Sequence, residues 1–154
     1  MIVVPKGLLK SICYLAEAAY PRECCGLLIG RDNSPTAITV TRIAESENVA
    51  NGPGLDRFEV DPQVRFDIMR QLGCIGASGS ATVAPPAERV VGHFHSHPDH
   101  PAQPSQTDLE MAFEPEMIWV ITAVVDGRAT QTTAHRLDPL TRQFRELYLT
   151  TTET

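Results

Sequence analysis

Apolar side chains recur along the chain at spacings that predict two helices. From Gly7 to Ala19 they follow one another at helical intervals. The pair Tyr20-Pro21 ends this helix, because a residue that precedes proline is pushed out of the α region. Farther along, Asp61 is a favourable N-cap, Pro62 suits the first helical position, and apolar residues repeat at helical spacing until Gly73. The pattern therefore predicts an early helix and a second one after the first third of the chain.

Runs of apolar and β-branched residues predict the strands. Cys24 to Ile29 and Ala37 to Ile43 flank a turn-rich stretch, so we expect an antiparallel pair. Arg57 to Val60 is a candidate short strand beside a polar loop. Beyond these, the pattern predicts a strand from Arg89 to His95, a short helix from Ser105 to Phe113 and a buried strand from Met117 to Val125. A turn at Asp126-Gly127 then leads into a strand from Arg128 to Leu137, and Phe144 to Leu149 forms a last element.

The length of the chain and one loop bear on its domain organisation. Gly76 to Glu88 is rich in small residues and proline, which is typical of a flexible connection within a domain. With 154 residues, of which 42% are hydrophobic, the chain suffices for one core and not for two. We expect one domain over residues 1–150 and a polar tail over residues 151–154.

Charge and cysteine content narrow the classes of function. Thirteen basic and nineteen acidic residues give a net charge of −6, with no long basic run, so nucleic acid is not an expected partner. No apolar stretch is long enough for a membrane span or a signal peptide, which predicts a soluble, cytoplasmic protein. The four cysteines form no C-x-x-C pair, so we expect reduced thiols.

Four histidines fall between positions 93 and 100, a density that favours a metal site. His95 and His97 lie two apart at the end of a predicted strand, so both imidazoles project from one face and can converge on an ion. Asp108 follows at the start of a short helix, after a proline-stiffened loop that can fold it back. Three protein ligands and a fourth position left to water are typical of catalytic zinc.

Two alternatives use the same residues. Ser105 and Asp108, taken alone, form an ordinary capping box at a helix start. The stretch from His95 to His100 also spells the H-x-H-x-D-H motif of the metallo-β-lactamase superfamily, through Asp99 and with His135 as a further candidate ligand. That fold is larger than one small domain. The H-x-E and P-C-x-x-C elements of zinc deaminases are absent.

The wider string His95-x-His97-x7-Ser105-x2-Asp108, with Gly92 before it and Pro98 within it, resembles the signature of the JAMM (MPN+) metallopeptidases. The segment from Pro21 to Gly30 resembles the glutamate-bearing element of that family, with Glu23 at the matching position. The resemblance covers nearly all of residues 5–150. It implies an α/β (α+β) fold, a single MPN/JAMM domain with a mixed, mostly antiparallel curved sheet flanked by helices, in a cytidine-deaminase-like architecture.

Carried over by position, the resemblance implies that His95, His97 and Asp108 bind one Zn²⁺ per chain. Glu23 would be the general base that activates a water and passes the proton to the leaving amine, and Ser105 would donate to the oxyanion. A non-catalytic MPN scaffold subunit is the alternative, although such subunits typically lose the histidines or the aspartate.

The resemblance also bears on the substrate. Only Leu109 to Glu116 separate Asp108 from the next predicted strand, so the second long insertion of linkage-selective deubiquitinating members is missing. The chain is similar to compact bacterial members, which cleave an amide or isopeptide bond after the C-terminal Gly-Gly of a small ubiquitin-like sulfur-carrier protein. A homodimer is possible.

Two further expectations concern residues around the site. Strand alternation points His93 to the same side as His95, so we expect it near the metal but not on it. Arg57 to Val60 offers an edge to which a diglycine tail can add as a strand. The alternative is that Phe58 merely anchors the loop.

Overall fold

The computed structural model describes residues 1–73 and 87–153. In this part the chain forms one eight-stranded sheet and three helices. None of these helices has the length and apolar character needed to cross a membrane. The strands are β1 (Ile2–Pro5), β2 (Cys25–Ser34), β3 (Ala37–Ser46), β4 (Arg89–Pro98), β5 (Ile118–Val125), β6 (Arg128–Asp138), β7 (Gln143–Leu147) and β8 (Leu149–Thr152), and the helices are α1 (Lys6–Ala19), α2 (Pro62–Gln71) and α3 (Gln106–Glu110).

The strand order is β7-β6-β5-β4-β2-β3-β1-β8. Most neighbours are antiparallel, including the predicted β2–β3 pair, whereas β1 runs parallel to β3 and β8, and β4 runs parallel to β5. The predicted mixed, mostly antiparallel sheet is therefore confirmed. Strand β4 lies at its centre, between β2 and β5.

The sheet is strongly curved, and its connectivity requires this. The outermost strands β7 and β8 are separated along the chain by Tyr148 alone. In a flat sheet of this size they would lie about 34 Å apart. Two residues of extended chain span at most about 7 Å. The sheet must therefore curl until its two ends meet.

Helix α1 packs on one face of the sheet. Its apolar stripe buries Ile12 and Ala16, and Ile12 joins a cluster that includes Leu28 of β2, Phe94 of β4 and Val120 of β5. The periodicity that predicts this helix is thus the stripe that covers the main core.

Helix α2 packs on the opposite face. Its predicted cap is confirmed, because the Asp61 side chain accepts a hydrogen bond from the Gln63 backbone N–H at 2.9 Å. Ile68 contacts Leu27 and Ile29, the neighbours of Leu28, which alternate to this face. The histidines of β4 lie on this second face, away from α1.

Two predictions about extended segments need correction. Arg57 to Val60 is not a strand, because only Val60 pairs, through a single bridge to Asn48. The side chain of Asn48 binds the Arg57 carbonyl and the Glu59 N–H, so it replaces the partners that a ladder would supply. The expected tail also starts later, since Thr151 and Thr152 lie in β8, where β-branched residues fit well. The predicted Gly76–Glu88 connection lies mostly outside the described residues.

Candidate metal and catalytic site

Strand β4 brings His95 and His97 together on one face. Their Nε2 atoms are 3.1 Å apart, and both side chains are buried. The Nδ1 of His97 donates to the Pro101 carbonyl at 2.8 Å, which leaves the Nε2 lone pair of this ring directed at His95. Nδ1 of His95 has no hydrogen-bond partner among the described residues, so no contact fixes the tautomer of His95, and its Nε2 can also present a lone pair to a cation between the two rings.

Asp108 faces this histidine pair from the first turn of α3. Its carboxylate oxygens lie 3.1 Å from Nε2 of His97 and 3.3 Å from Nε2 of His95. The same carboxylate accepts from the Ser105 N–H at 2.8 Å, and the Ser105 hydroxyl accepts from the Asp108 N–H at 3.0 Å. The capping box and the convergence on the histidines are therefore both present. The cap fixes the direction of the carboxylate.

The geometry of these three side chains fits a tetrahedral metal ion. Zinc bound at 2.0–2.1 Å places its ligand atoms about 3.3 Å from one another. The separations of 3.1–3.3 Å among His95, His97 and Asp108 match this spacing. Two nitrogens and one oxygen also match the ligand types of a catalytic zinc centre.

The electrostatics of the cluster favour a positive charge at its centre. Burial alone raises the pKa of Asp108, but the two histidines and the Ser105 N–H hold it far below its usual range. Burial lowers the pKa of His95. Burial also lowers the pKa of His97, but the hydrogen bonds to Asp108 and Pro101 outweigh it and raise that pKa. Asp108 is therefore a carboxylate and His95 a neutral imidazole, as metal binding needs, and the raised pKa of His97 shows that a positive charge is favoured at this position.

Glu23 lies beside the cluster, just before β2. Its Oε1 is 3.9 Å from Nε2 of His97, and its Oε2 is buried with no hydrogen-bond partner within the described residues. Burial raises the pKa of Glu23 to about 8, although His97 opposes this. Glu23, His95 and His97 form a buried group whose ligand atoms lie within 4.8 Å of one another and could hold a metal. The oxygens of Asp108 are nevertheless closer to both histidines.

Ser105 lines a cleft of about 340 Å³ together with Glu23 and His97. Its hydroxyl oxygen accepts the cap hydrogen bond, so the hydroxyl hydrogen is free to donate into the cleft. The five residues taken from the sequence, Glu23, His95, His97, Ser105 and Asp108, are thus brought to one place.

An aromatic cluster packs against the imidazole ring of His95. The ring of Phe58 stacks on His95 with centroids 4.2 Å apart, and Trp119 lies edge-on at 5.7 Å. These ring contacts fit the anchoring role considered for Phe58. His93 packs against Trp119 at 4.2 Å and lies next to the site without joining the ligand cluster, as predicted. Burial lowers the pKa of His93 to about 3, so this ring stays neutral.

The metallo-β-lactamase motif is not assembled. Asp99 is exposed, and its carboxylate accepts from the Tyr20 hydroxyl at 2.6 Å and from the Asp126 N–H at 3.1 Å. His100 is also exposed, and His135 bonds to Thr133 on β6. This alternative is therefore wrong.

Comparisons with known proteins agree with the site. The family model described as prokaryotic homologs of the JAB domain matches residues 5–138. The chain belongs to this family. The desampylase of Haloferax volcanii is 34% identical over 127 residues, covering 82% of this chain and 76% of that protein. The CysO-cysteine peptidase of Mycobacterium tuberculosis is 26% identical over 137 residues, covering 89% and 83%.

Solved structures share the fold. A protein from Desulfitobacterium hafniense has a TM-score of 0.77 at 25% identity, covering 100% of this chain and 94% of that one. A JAB1/MPN domain protein from Archaeoglobus fulgidus has a TM-score of 0.56 at 20% identity, covering 99% and 98%. The predicted JAMM/MPN+ relationship and the predicted fold class are confirmed.

Proposed function

We propose that this chain is a zinc metallopeptidase that hydrolyses an amide or isopeptide bond after the C-terminal Gly-Gly of a small ubiquitin-like sulfur-carrier protein. The observation that carries the proposal is the convergence of His95, His97 and Asp108 at tetrahedral spacing, with the carboxylate of Glu23 alongside. A zinc ion held there polarises the scissile carbonyl and lowers the pKa of a water.

Glu23 acts as the general base. In its ionised form, whose share grows as the pH rises toward its pKa of about 8, Glu23 accepts a proton from the attacking water at its unpartnered Oε2 and delivers that proton to the leaving amine. Ser105 donates its free hydroxyl hydrogen to the carbonyl oxygen as negative charge develops there. Phe58 and Trp119 exclude water from the rear of His95, which strengthens both interactions.

A second cleft, of about 370 Å³, suits the extended tail of the substrate. It runs between Phe58–Val60 and the segment from Met111 to Glu114, and His93 and Trp119 line it. We infer that part of the carrier binds in this cleft, beside the metal site, because Phe58 and Trp119 line the cleft and also contact His95.

The relatives support the choice of substrate class. A desampylase and a CysO-cysteine peptidase each align over more than four-fifths of this chain. The connection from Glu110 of α3 to Ile118 of β5 is short. It therefore lacks the long second insertion that linkage-selective deubiquitinating members carry at this place. A compact carrier tail is therefore a better match than a particular ubiquitin linkage.

The test uses purified zinc-loaded protein and two probes. One is a β-grasp carrier that ends in Gly-Gly followed by cysteine, and the other is the same carrier joined through Gly-Gly to a lysine side chain. Mass spectrometry should detect the carrier ending in free Gly-Gly from at least one probe, which also identifies the leaving group. Uncut probes would contradict the proposed activity, and less than about half an equivalent of zinc retained after loading would in addition favour a scaffold role.

Phe113 gives a test of the tail cleft. This side chain is 77% exposed at the cleft, so replacing it with serine should leave folding and zinc content intact. We expect Phe113→Ser to raise KM for the carrier about tenfold, the equivalent of losing about 1.4 kcal/mol of binding free energy, with little change in kcat. The control is Tyr14→Ser, an aromatic residue of α1 that is 70% exposed. Equal KM values for the two variants would exclude Phe113 from the substrate path.

A further inference from the structure

The loop that joins β4 to α3 carries a tight turn next to His97. The Pro101 carbonyl accepts two hydrogen bonds, one from Nδ1 of His97 and one from the Gln103 N–H, each at 2.8 Å. A carbonyl bonded to the N–H two residues later defines a three-residue γ-turn, here centred on Ala102. The orientation of the His97 ring therefore depends on this turn.

Two buried side chains of β6 hold the centre of the turn. The Thr133 hydroxyl donates to the Ala102 carbonyl at 2.5 Å. Nε2 of His135 lies 2.9 Å from the Thr133 oxygen, which is left to accept. Burial lowers the pKa of His135, so its ring is neutral and presents an N–H to that oxygen. Ala102 itself is buried against Ile121 and Ala123.

The geometry of one peptide plane links Thr133 to His97. The Ala102 carbonyl and the Gln103 N–H belong to the same planar peptide unit. Thr133 binds the carbonyl of this unit, and the N–H of this unit binds the Pro101 carbonyl that in turn accepts from His97. Rotation of the unit would break the turn and release the His97 ring.

We infer that Thr133, supported by His135, is a positioning residue for the metal centre. It fixes the peptide plane that directs the Pro101 carbonyl at Nδ1 of His97 and so keeps Nε2 aimed at the metal. Its contribution is to the affinity and geometry of the site and not to a chemical step. The inference rests on the proposed function only in taking His97 as a zinc ligand.

The chain offers a matched control in the next residue. Thr132 lies on the same strand but faces the other way, with its hydroxyl 2.9 Å from Thr122 and 3.9 Å from the Cys13 sulfur of α1. Thr132→Val and Thr133→Val remove the same atom from the same strand. A general loss of strand stability affects both, whereas loss of the turn support affects only Thr133→Val.

The test measures zinc affinity by competition with a chromophoric chelator for wild type, Thr132→Val, Thr133→Val and Thr133→Ser. We expect Thr133→Val to bind zinc about tenfold more weakly, with Thr132→Val and Thr133→Ser close to wild type. In the zinc-loaded protein, NMR should show faster solvent exchange of the His97 Nδ1 proton in Thr133→Val alone. If Thr133→Val does not fold, the zinc affinity and proton exchange of Thr133→Ala and His135→Gln are compared with those of Thr132→Val instead.

Equal zinc affinity and equal proton exchange in the Thr132 and Thr133 variants would overturn the inference. Failure of wild type to bind zinc is a different outcome, because it removes the proposed function itself. If the wild type binds zinc and the Thr133 variants bind it equally well, the proposed function stands. Only the positioning role of Thr133 is then rejected.

Discussion

Replacing Glu23 with glutamine is expected to lower cleavage of a Gly-Gly-linked carrier by about 100- to 10,000-fold, the usual contribution of a general base. Glutamine has nearly the same shape as glutamate, so the buried site keeps its packing. It cannot accept the proton of the attacking water, however. Zinc content should stay at the wild-type level, because Oε1 of Glu23 lies 3.9 Å from His97 and farther from it than the Asp108 oxygen.

The measurement is the single-turnover rate, followed by mass spectrometry, with zinc content determined on the same samples. Glu45→Gln is the control, since it makes the same chemical change at an exposed position on β3. A Glu23→Gln variant that cuts as fast as wild type is incompatible with a base at this position. A variant that loses its zinc would show instead that Glu23 is a ligand, as its place in the Glu23, His95 and His97 group allows.

Replacing Asp108 should abolish zinc binding. The carboxylate lies within 3.1–3.3 Å of both histidine nitrogens, and no other acidic group among the described residues contacts both so closely. Loss of an outer partner of a ligand typically weakens a metal site 10- to 100-fold, so loss of the ligand should exceed about 100-fold. Both Asp108→Asn and Asp108→Ala are expected to be inactive and nearly free of zinc.

The two Asp108 variants separate the metal role from the helix cap. Asparagine keeps an oxygen that can accept from the Ser105 N–H, whereas alanine does not. In urea unfolding of zinc-free protein, Asp108→Ala should therefore be about 1 kcal/mol less stable than Asp108→Asn. Retention of zinc by Asp108→Ala, which has no donor atom at this position, would reject the proposed ligand set and favour Glu23 as the third ligand.

Local sequence patterns predicted most of the regular structure. Helix α1 starts within a residue of the prediction, and α2 starts at the predicted cap, because both are set by residues adjacent in the chain. The strand prediction failed at Arg57 to Val60, where a single side chain, Asn48, occupies the backbone groups that a ladder would use. No alternation or propensity rule contains that information.

Local sequence patterns also predicted only part of the candidate site. His95 and His97 follow from strand alternation, and Asp108 needed the wider motif, because its local pattern is also that of a helix cap. Glu23 could be assigned only by resemblance. The stacking of Phe58 on His95 and the bond from Thr133 to Ala102 join segments distant in the chain, so sequence spacing gives no sign of either. The proline-rich loop was the one available hint of a rigid support.

The aromatic cluster behind the site gives the protein a natural optical probe. Trp119 is the sole tryptophan of the chain, and its ring lies 4.2 Å from His93 and 5.7 Å from His95. Indole emission depends on the charge and polarity of groups in contact with the ring. Any change in what His95 holds thus occurs next to the only strong fluorophore. If the proposed site binds zinc, we expect the tryptophan emission to change as the ion is loaded and released, so that binding can be followed in solution without a label.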